Sequence, residues 1–154
     1  MSLAARIDYD TVGLDVADVV ADPLAQWWRW FHDAEAAACV EPNAMVVATV
    51  DDAGHPDARN VLARGADERG VVFFTNYESD KSRQMSATPA AAGVFSWLAL
   101  HRQVRFRGAV ERVSSAESDG YFASRPRASQ LGAWASPQSQ VPVSYTHLTL
   151  PTNR

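Results

Sequence analysis

Tyr121, Arg125, Arg127 and Ser129 crowd the start of one stretch, YFASRPRASQLGAWASPQS (121–139), and Gln130, Trp134, Gln138 and Ser139 follow within it. An aromatic ring, two permanent cations and several hydroxyl and amide groups suit a flat, phosphorylated heterocycle. A guanidinium presents a planar fork of donors that matches phosphate oxygens, and a tyrosine covers a ring face or bonds its edge. The same residues also fit a plainer arrangement, a helix broken at Ser-Arg-Pro and a second short helix whose arginines are solvated.

The charges are unevenly spread along a chain of 154 residues with a net charge of -4. Residues 1–58 carry eleven acids against Arg6 and Arg29, whereas residues 101–127 carry six arginines against three acids. A basic patch on an acidic protein favours a small anionic ligand and argues against nucleic acid, which would raise the charge of the whole domain. No apolar run reaches membrane-spanning length and no secretory signal opens the chain, so the expected location is cytoplasmic, with no membrane partner. The single cysteine, Cys39, rules out an internal disulfide and is expected as a small buried residue in a helix ending AEAAACV. His32, His55, His101 and His147 lack metal-like spacing, so no metal site is expected.

The elements that must position these residues read as mainly β with helices. Residues 1–21 form an N-terminal arm. Asp22 and Pro23 cap and start a helix whose Leu24, Trp27, Trp28, Phe31 and Ala34 make one apolar face, with the tryptophans as core or interface packing. Strands are expected over Ala44–Val50, Arg59–Arg64, Val71–Thr75, Ala90–Leu100 and Gln103–Val113, joined by turns at 51–54 and 67–70 and near His101. Short helices are expected at Ser79–Ala87, with Ser79 as N-cap, and at Ser115–Ser124, with Ser114 or Ser115 as cap. Tight turns between short strands point to a small Greek-key barrel rather than a parallel sheet. No glycine-rich phosphate loop is present, so side chains and ordinary amides must hold any phosphate.

Taken in order, RIDY (6–9), Asp22-Pro23-Leu24, AMVVATVDDAGHPDARNVL, GVVFFTN, Ser79 with Lys81, WLALHRQV and YFASRPRASQLGAWASPQS resemble the pyridoxamine 5′-phosphate oxidase family over about residues 6–142. The resemblance implies an FMN-binding split β-barrel that forms a homodimer with flavin sites at the interface. It assigns FMN contacts to Arg59, Val61, Leu62, Arg64, Phe74, Thr75, Lys81, Gln103, Gln138 and Ser139. It assigns the phosphorylated B6 vitamer to Tyr121, Arg125 and Ser129, with Arg64 near both ring systems and Arg6 to Tyr9 as an arm over the substrate. The implied chemistry is hydride transfer from the carbon bearing the amine to the flavin, with oxygen as acceptor, and needs no catalytic side chain.

Three departures from the family pattern stand out. Arg64 replaces a common lysine, and Asp80 stands where a basic residue beside the FMN phosphate is usual. The family's C-terminal segment, with its Trp-Gly-Gly and Arg-x-His motifs, is not found. The expected organisation is therefore an arm (1–21), a C-terminally truncated FMN domain (22–143) and a non-family tail (144–154). A related flavoprotein acting on another ring, such as a phenazine precursor, and a flavin- or pyridoxal-phosphate-binding fragment without turnover remain as alternatives.

Overall fold

The first helix starts where its residues dictate. The Asp22 carboxylate accepts from the amides of Leu24 (3.1 Å) and Ala25 (3.2 Å), and Pro23 takes the first position of α1 (Pro23–Ala36). The structure, a computed structural model, describes residues 13–140. The arm residues Arg6 and Tyr9 and the tail expected from 144 lie outside the described residues. Helix α1 buries Trp27 and Ala34, and Trp27 stacks on Phe31 and meets Phe95, both at 5.2 Å between ring centroids. Positive φ at Ala38 (52°) and Glu41 (45°) turns the chain away from the helix. Cys39 therefore lies past the helix end and is only half-buried, which corrects its expected place inside the helix.

Five antiparallel strands follow: β1 (Ala44–Val50), β2 (Pro56–Asp67), β3 (Gly70–Phe73), β4 (Ala90–Trp97) and β5 (Arg102–Ala109). They pair in the order β3-β2-β1-β4-β5. Strands β1 to β3 are joined by hairpins, and α2 (Asp80–Ala87) carries the chain back so that β4 lies beside β1. That is the Greek-key order expected from the short strands and tight turns. The described strands form an open, curled sheet, half of a barrel, with β3 and β5 at its edges.

One face of the sheet holds the core, with Met45, Val47, Ala63, Phe95 and Trp97 packed against Trp27 and Ala34. Trp97 is fixed there by its indole N–H, which donates to the Pro42 carbonyl at 2.8 Å. The opposite face leaves Val46 and Val50 exposed.

Several boundaries differ from the sequence expectation. Strand β2 runs well past 59–64 at both ends, and β3 stops at Phe73, so Phe74 and Thr75 follow the strand instead of ending it. Strand β4 ends at Trp97, where Leu98–Leu100 tighten into a 3-10 turn, and β5 covers 102–109 rather than 103–113. Ser79 occupies the N-cap position of α2, but its hydroxyl donates to the Asn76 carbonyl (2.7 Å) and makes no cap bond.

Candidate functional site

Helix α3 (Ser115–Ser124) is capped by Ser114, whose hydroxyl accepts from the Glu117 amide at 3.2 Å. It must stop at Arg125, because a residue before proline is pushed out of the helical region, and Arg125 is extended (φ -72°, ψ 147°). Pro126 then opens α4 (Arg127–Ala135). The break is splinted by Gln130, whose amide nitrogen donates to the carbonyls of Arg125 (2.9 Å) and Ala123 (3.3 Å). This helix–break–helix turn gathers Tyr121, Ser124, Arg125, Pro126 and Ser129 around a cavity of about 260 Å³ that Arg64 completes from β2. Arg127 points elsewhere, donating to Gln130 at 3.3 Å.

Arg64 reaches that cavity through a defect in the sheet. Ala63 pairs with Phe73 and Gly65 with Val72, so Arg64 is the unpaired residue of a β-bulge, a device that re-aims a side chain. Its guanidinium carbon lies 5.7 Å from the centre of the Tyr121 ring. On that ring also rests Phe74, 3.9 Å away and within 7° of parallel. Ring quadrupoles disfavour a close face-to-face sandwich, and the nearby cation offsets part of that cost. Among the described residues, neither Arg64 nor Arg125 forms an ion pair with a carboxylate. Two unneutralised guanidinium groups, a phenol and two serine hydroxyls make a cavity suited to a small anion carrying a ring.

A second cluster lies at the start of α2. Lys81 is 6% exposed, and its ammonium donates to Gln138 Oε1 at 2.9 Å. The Thr75 hydroxyl donates to the same oxygen at 3.2 Å, and the Asp80 amide donates to Ser139 Oγ at 3.2 Å. One amide oxygen thus sits where a cation and a hydroxyl converge, which is the donor geometry an anionic oxygen would use. Burial, followed by the neighbouring Arg59 cation, pushes the Lys81 pKa below its ordinary 10.5, while Asp80 and Asp57 oppose the shift.

Arg59 itself is held on the core face. It donates to Thr49 Oγ1 (2.5 Å), the Val47 carbonyl (3.3 Å) and Gln84 Oε1 (3.0 Å), and it pairs with Asp57. The hydrogen bond from Gln84 is the main cause that lowers the Asp57 pKa, with the Arg59 charge adding to it.

The structure thus brings Arg64, Tyr121, Arg125 and Ser129 into one cavity, and Thr75, Lys81, Gln138 and Ser139 into one cradle beside Arg59. The dipeptide Phe74-Thr75 touches both, through the Tyr121 stack and the Gln138 bond. Val61 and Leu62 are half-buried in β2, on opposite faces by alternation, with Met45 and Ala44 as cross-strand partners. Gln103 is exposed opposite Ser96 on β5, and no hydrogen bond among the described residues joins it to the others.

Thr49, Asp57 and Gln84 were not found by sequence reasoning. The available signal was Gln84 at i+3 from Lys81, on one face of a helix. Among the described residues no cluster of His, Cys, Asp and Glu could hold a metal, and no helix is long and apolar enough to cross a membrane.

The sequence and the fold both have counterparts among known proteins. The sequence profile described as pyridoxamine 5′-phosphate oxidase (PNPOx_N) matches residues 31–152. A pyridoxine/pyridoxamine 5′-phosphate oxidase of Burkholderia lata is 58% identical over 136 residues, which cover 88% of this chain and 64% of that protein. The protein of the same name from Ralstonia pickettii is 56% identical over 134 residues, 87% of this chain and 63% of its own length. The chain therefore spans just under two thirds of these curated relatives. Among solved structures, PhzG from Burkholderia lata 383, in complex with tetrahydrophenazine-1-carboxylic acid, superposes with a TM-score of 0.83 at 27% identity, covering 90% of this chain and 69% of that one. A pyridoxamine 5′-phosphate oxidase-related, FMN-binding protein from Nostoc punctiforme shares the fold, with a TM-score of 0.57 at 22% identity over 71% of this chain and 63% of that one.

Proposed function

The chain belongs to the pyridoxamine 5′-phosphate oxidase family, and on that footing we propose that it acts as an FMN-dependent oxidase of pyridoxamine 5′-phosphate or pyridoxine 5′-phosphate, with oxygen as acceptor and pyridoxal 5′-phosphate as product. The observation that carries this reading is the cavity in which Arg64 and Arg125, neither paired to a carboxylate, face Tyr121 and Ser129. A phosphate monoester supplies the negative charge those cations lack, and Tyr121 supplies a surface for the attached ring.

FMN is the cofactor that family membership supports, and the cradle fits its phosphate: Lys81, Thr75 and Ser139 offer a cation and two hydroxyls at one place. When bound, FMN supplies the two-electron redox step. The chain's own residues bind and orient. Arg125 and Ser129 anchor the substrate phosphate, Arg64 and Tyr121 set the plane of its ring, and Arg59, fixed by Thr49 and Gln84, stands beside Lys81. Phe74-Thr75 couples the two pockets, so flavin and substrate are held at a distance set by one dipeptide.

In this reading the active form is a homodimer. Gln103 shares the sheet face of Val46, away from the face that holds Arg59, and serves the flavin site of a second copy. The site works in the cytoplasm, on a diffusible vitamer, without nucleic acid or membrane.

A second reading draws on the likeness to PhzG, whose bound ligand is a larger ring with a carboxylate. The two separate on one comparison. Purified protein loaded with FMN is supplied in turn with pyridoxamine 5′-phosphate, pyridoxamine and a dihydrophenazine-type ring, and oxygen uptake and pyridoxal 5′-phosphate formation are followed. Uptake only with the phosphorylated amine supports the oxidase reading, whereas uptake only with a dihydrophenazine-type ring supports the other.

A further inference from the structure

The first turn of α2, beside the cradle, carries a cation that none of the assignments above uses. Arg83 folds back along the first turn of α2 and pairs with Asp80, while its other terminal nitrogen donates to the Glu78 carbonyl. Asp80 belongs to the cradle by its backbone, because its amide donates to Ser139 Oγ at 3.2 Å. Lys81, the next residue, holds the ammonium at the centre of the cradle. The Arg83 guanidinium is thus tied, through a single carboxylate, to the residue that bonds Ser139. The pair is about half exposed on each side, at 55% for Arg83 and 51% for Asp80. An ion pair so solvated costs little to open. The same pattern recurs across the cradle, where Arg59 is paired with Asp57. Arg83 and Arg59 are therefore each held by an aspartate.

We propose that Arg83 is a ligand for the phosphate of FMN, and that Asp80 is its competitor, holding the guanidinium on the carboxylate until a phosphate takes its place. This rests on the assignment of the Lys81 cradle to the flavin phosphate. A phosphate monoester dianion offers the guanidinium more charge and more acceptor oxygens than one carboxylate, so the exchange runs towards the phosphate. Asp80 remains beside the phosphate as an uncompensated acid and weakens the complex. The Asp80–Arg83 pair thereby sets the margin by which the site prefers FMN to riboflavin, which has no phosphate to compete for the arginine.

The test is equilibrium binding of FMN and of riboflavin, read by quenching of flavin fluorescence, for the unaltered chain and for Arg83→Gln, Asp80→Asn, the double variant and Lys81→Gln. Arg83→Gln weakens FMN binding about tenfold and leaves riboflavin unchanged, as expected for one lost charge-assisted contact. Asp80→Asn tightens FMN binding about three- to tenfold, and in the double variant most of that gain disappears, because the two residues act through one pair. If Arg83→Gln leaves the ratio of FMN to riboflavin affinity unchanged, Arg83 is no ligand and the proposal fails. If Asp80→Asn tightens FMN equally with and without Arg83, Asp80 acts by plain repulsion and the exchange is refuted. Lys81→Gln is the control on the underlying assignment: unless it lowers FMN affinity selectively over riboflavin, the cradle is not the phosphate site at all.

Discussion

Replacing Arg125 with alanine should separate substrate binding from cofactor binding. Arg125 is half-buried, its carbonyl is held by Gln130 at 2.9 Å, and its guanidinium carbon lies 6.0 Å from the Phe122 ring. The backbone at Arg125 is thus fixed before any ligand arrives, with the guanidinium resting near the Phe122 ring. It pairs with no carboxylate among the described residues, so its charge is available to the ligand. A charge-assisted hydrogen bond contributes about 1.5–3 kcal/mol, and about 1.4 kcal/mol is tenfold in affinity. Arg125→Ala should therefore weaken pyridoxamine 5′-phosphate binding about ten- to a hundredfold. Binding of pyridoxamine, without the phosphate, should change little. FMN content should hold, since no hydrogen bond joins Arg125 to Lys81, Thr75 or Gln138. Arg125→Lys should fall between, keeping the charge but losing the planar fork. The assay is calorimetric titration of the FMN-loaded protein with both amines, alongside flavin content per chain. Equal losses for the two amines, or parallel loss of flavin, would show that Arg125 does not serve the substrate phosphate.

Three further outcomes follow from the fold and the cradle. A Cβ on Gly93 would lie 2.2 Å from the end of the Phe106 ring across the β4–β5 ladder, so Gly93→Ala should cost about 1–3 kcal/mol in chemical denaturation, with partial recovery on adding Phe106→Leu. Asp22→Ala removes both cap bonds of α1 and should lower stability by about 0.5–2 kcal/mol without altering flavin affinity. Lys81 faces Arg59 and Asp57 from β2 and Asp80 on its own helix, and its pKa lies below 10.5. The penalty on its buried charge applies below that lowered pKa and vanishes by 10.5, so flavin-free stability rises with pH across the window. FMN affinity should fall across the same window, as the ammonium is lost earlier than from an exposed lysine, and Lys81→Met should abolish that dependence in a fluorescence titration.

Much of this was legible in the residues because local and global preferences agreed. The β-branched run Ala44–Val50 forms a strand with those bounds, and Asp22-Pro23 starts α1 as written. Tyr121, Arg125 and Ser129, spaced around a proline break, do line one cavity, though their spacing alone fitted plainly solvated arginines as well. What was not legible depends on partners distant in sequence. Pro56, Asp57 and Gly65 are poor strand formers, and they join β2 because the ladders to β1 and β3 hold them. The bulge that aims Arg64 and the stack of Phe74 on Tyr121 exist only once β2, β3 and α3 are assembled. Likewise Thr49 and Gln84 reach Arg59 from β1 and α2, and no local pattern links them to it. The exposed position of Gln103 follows from the register of β5, which sequence alone leaves open.

The central claim is that this chain places a phosphorylated B6 vitamer against FMN, and mixing the two without oxygen tests it most directly. The FMN-loaded protein, kept anaerobic, is titrated with pyridoxamine 5′-phosphate while the yellow absorption of oxidised flavin is followed and the products are separated. The account predicts bleaching of the flavin with one pyridoxal 5′-phosphate formed per flavin reduced, and return of the colour when oxygen is admitted. Flavin that stays oxidised with pyridoxamine 5′-phosphate, yet bleaches with a ring substrate lacking phosphate, would contradict it.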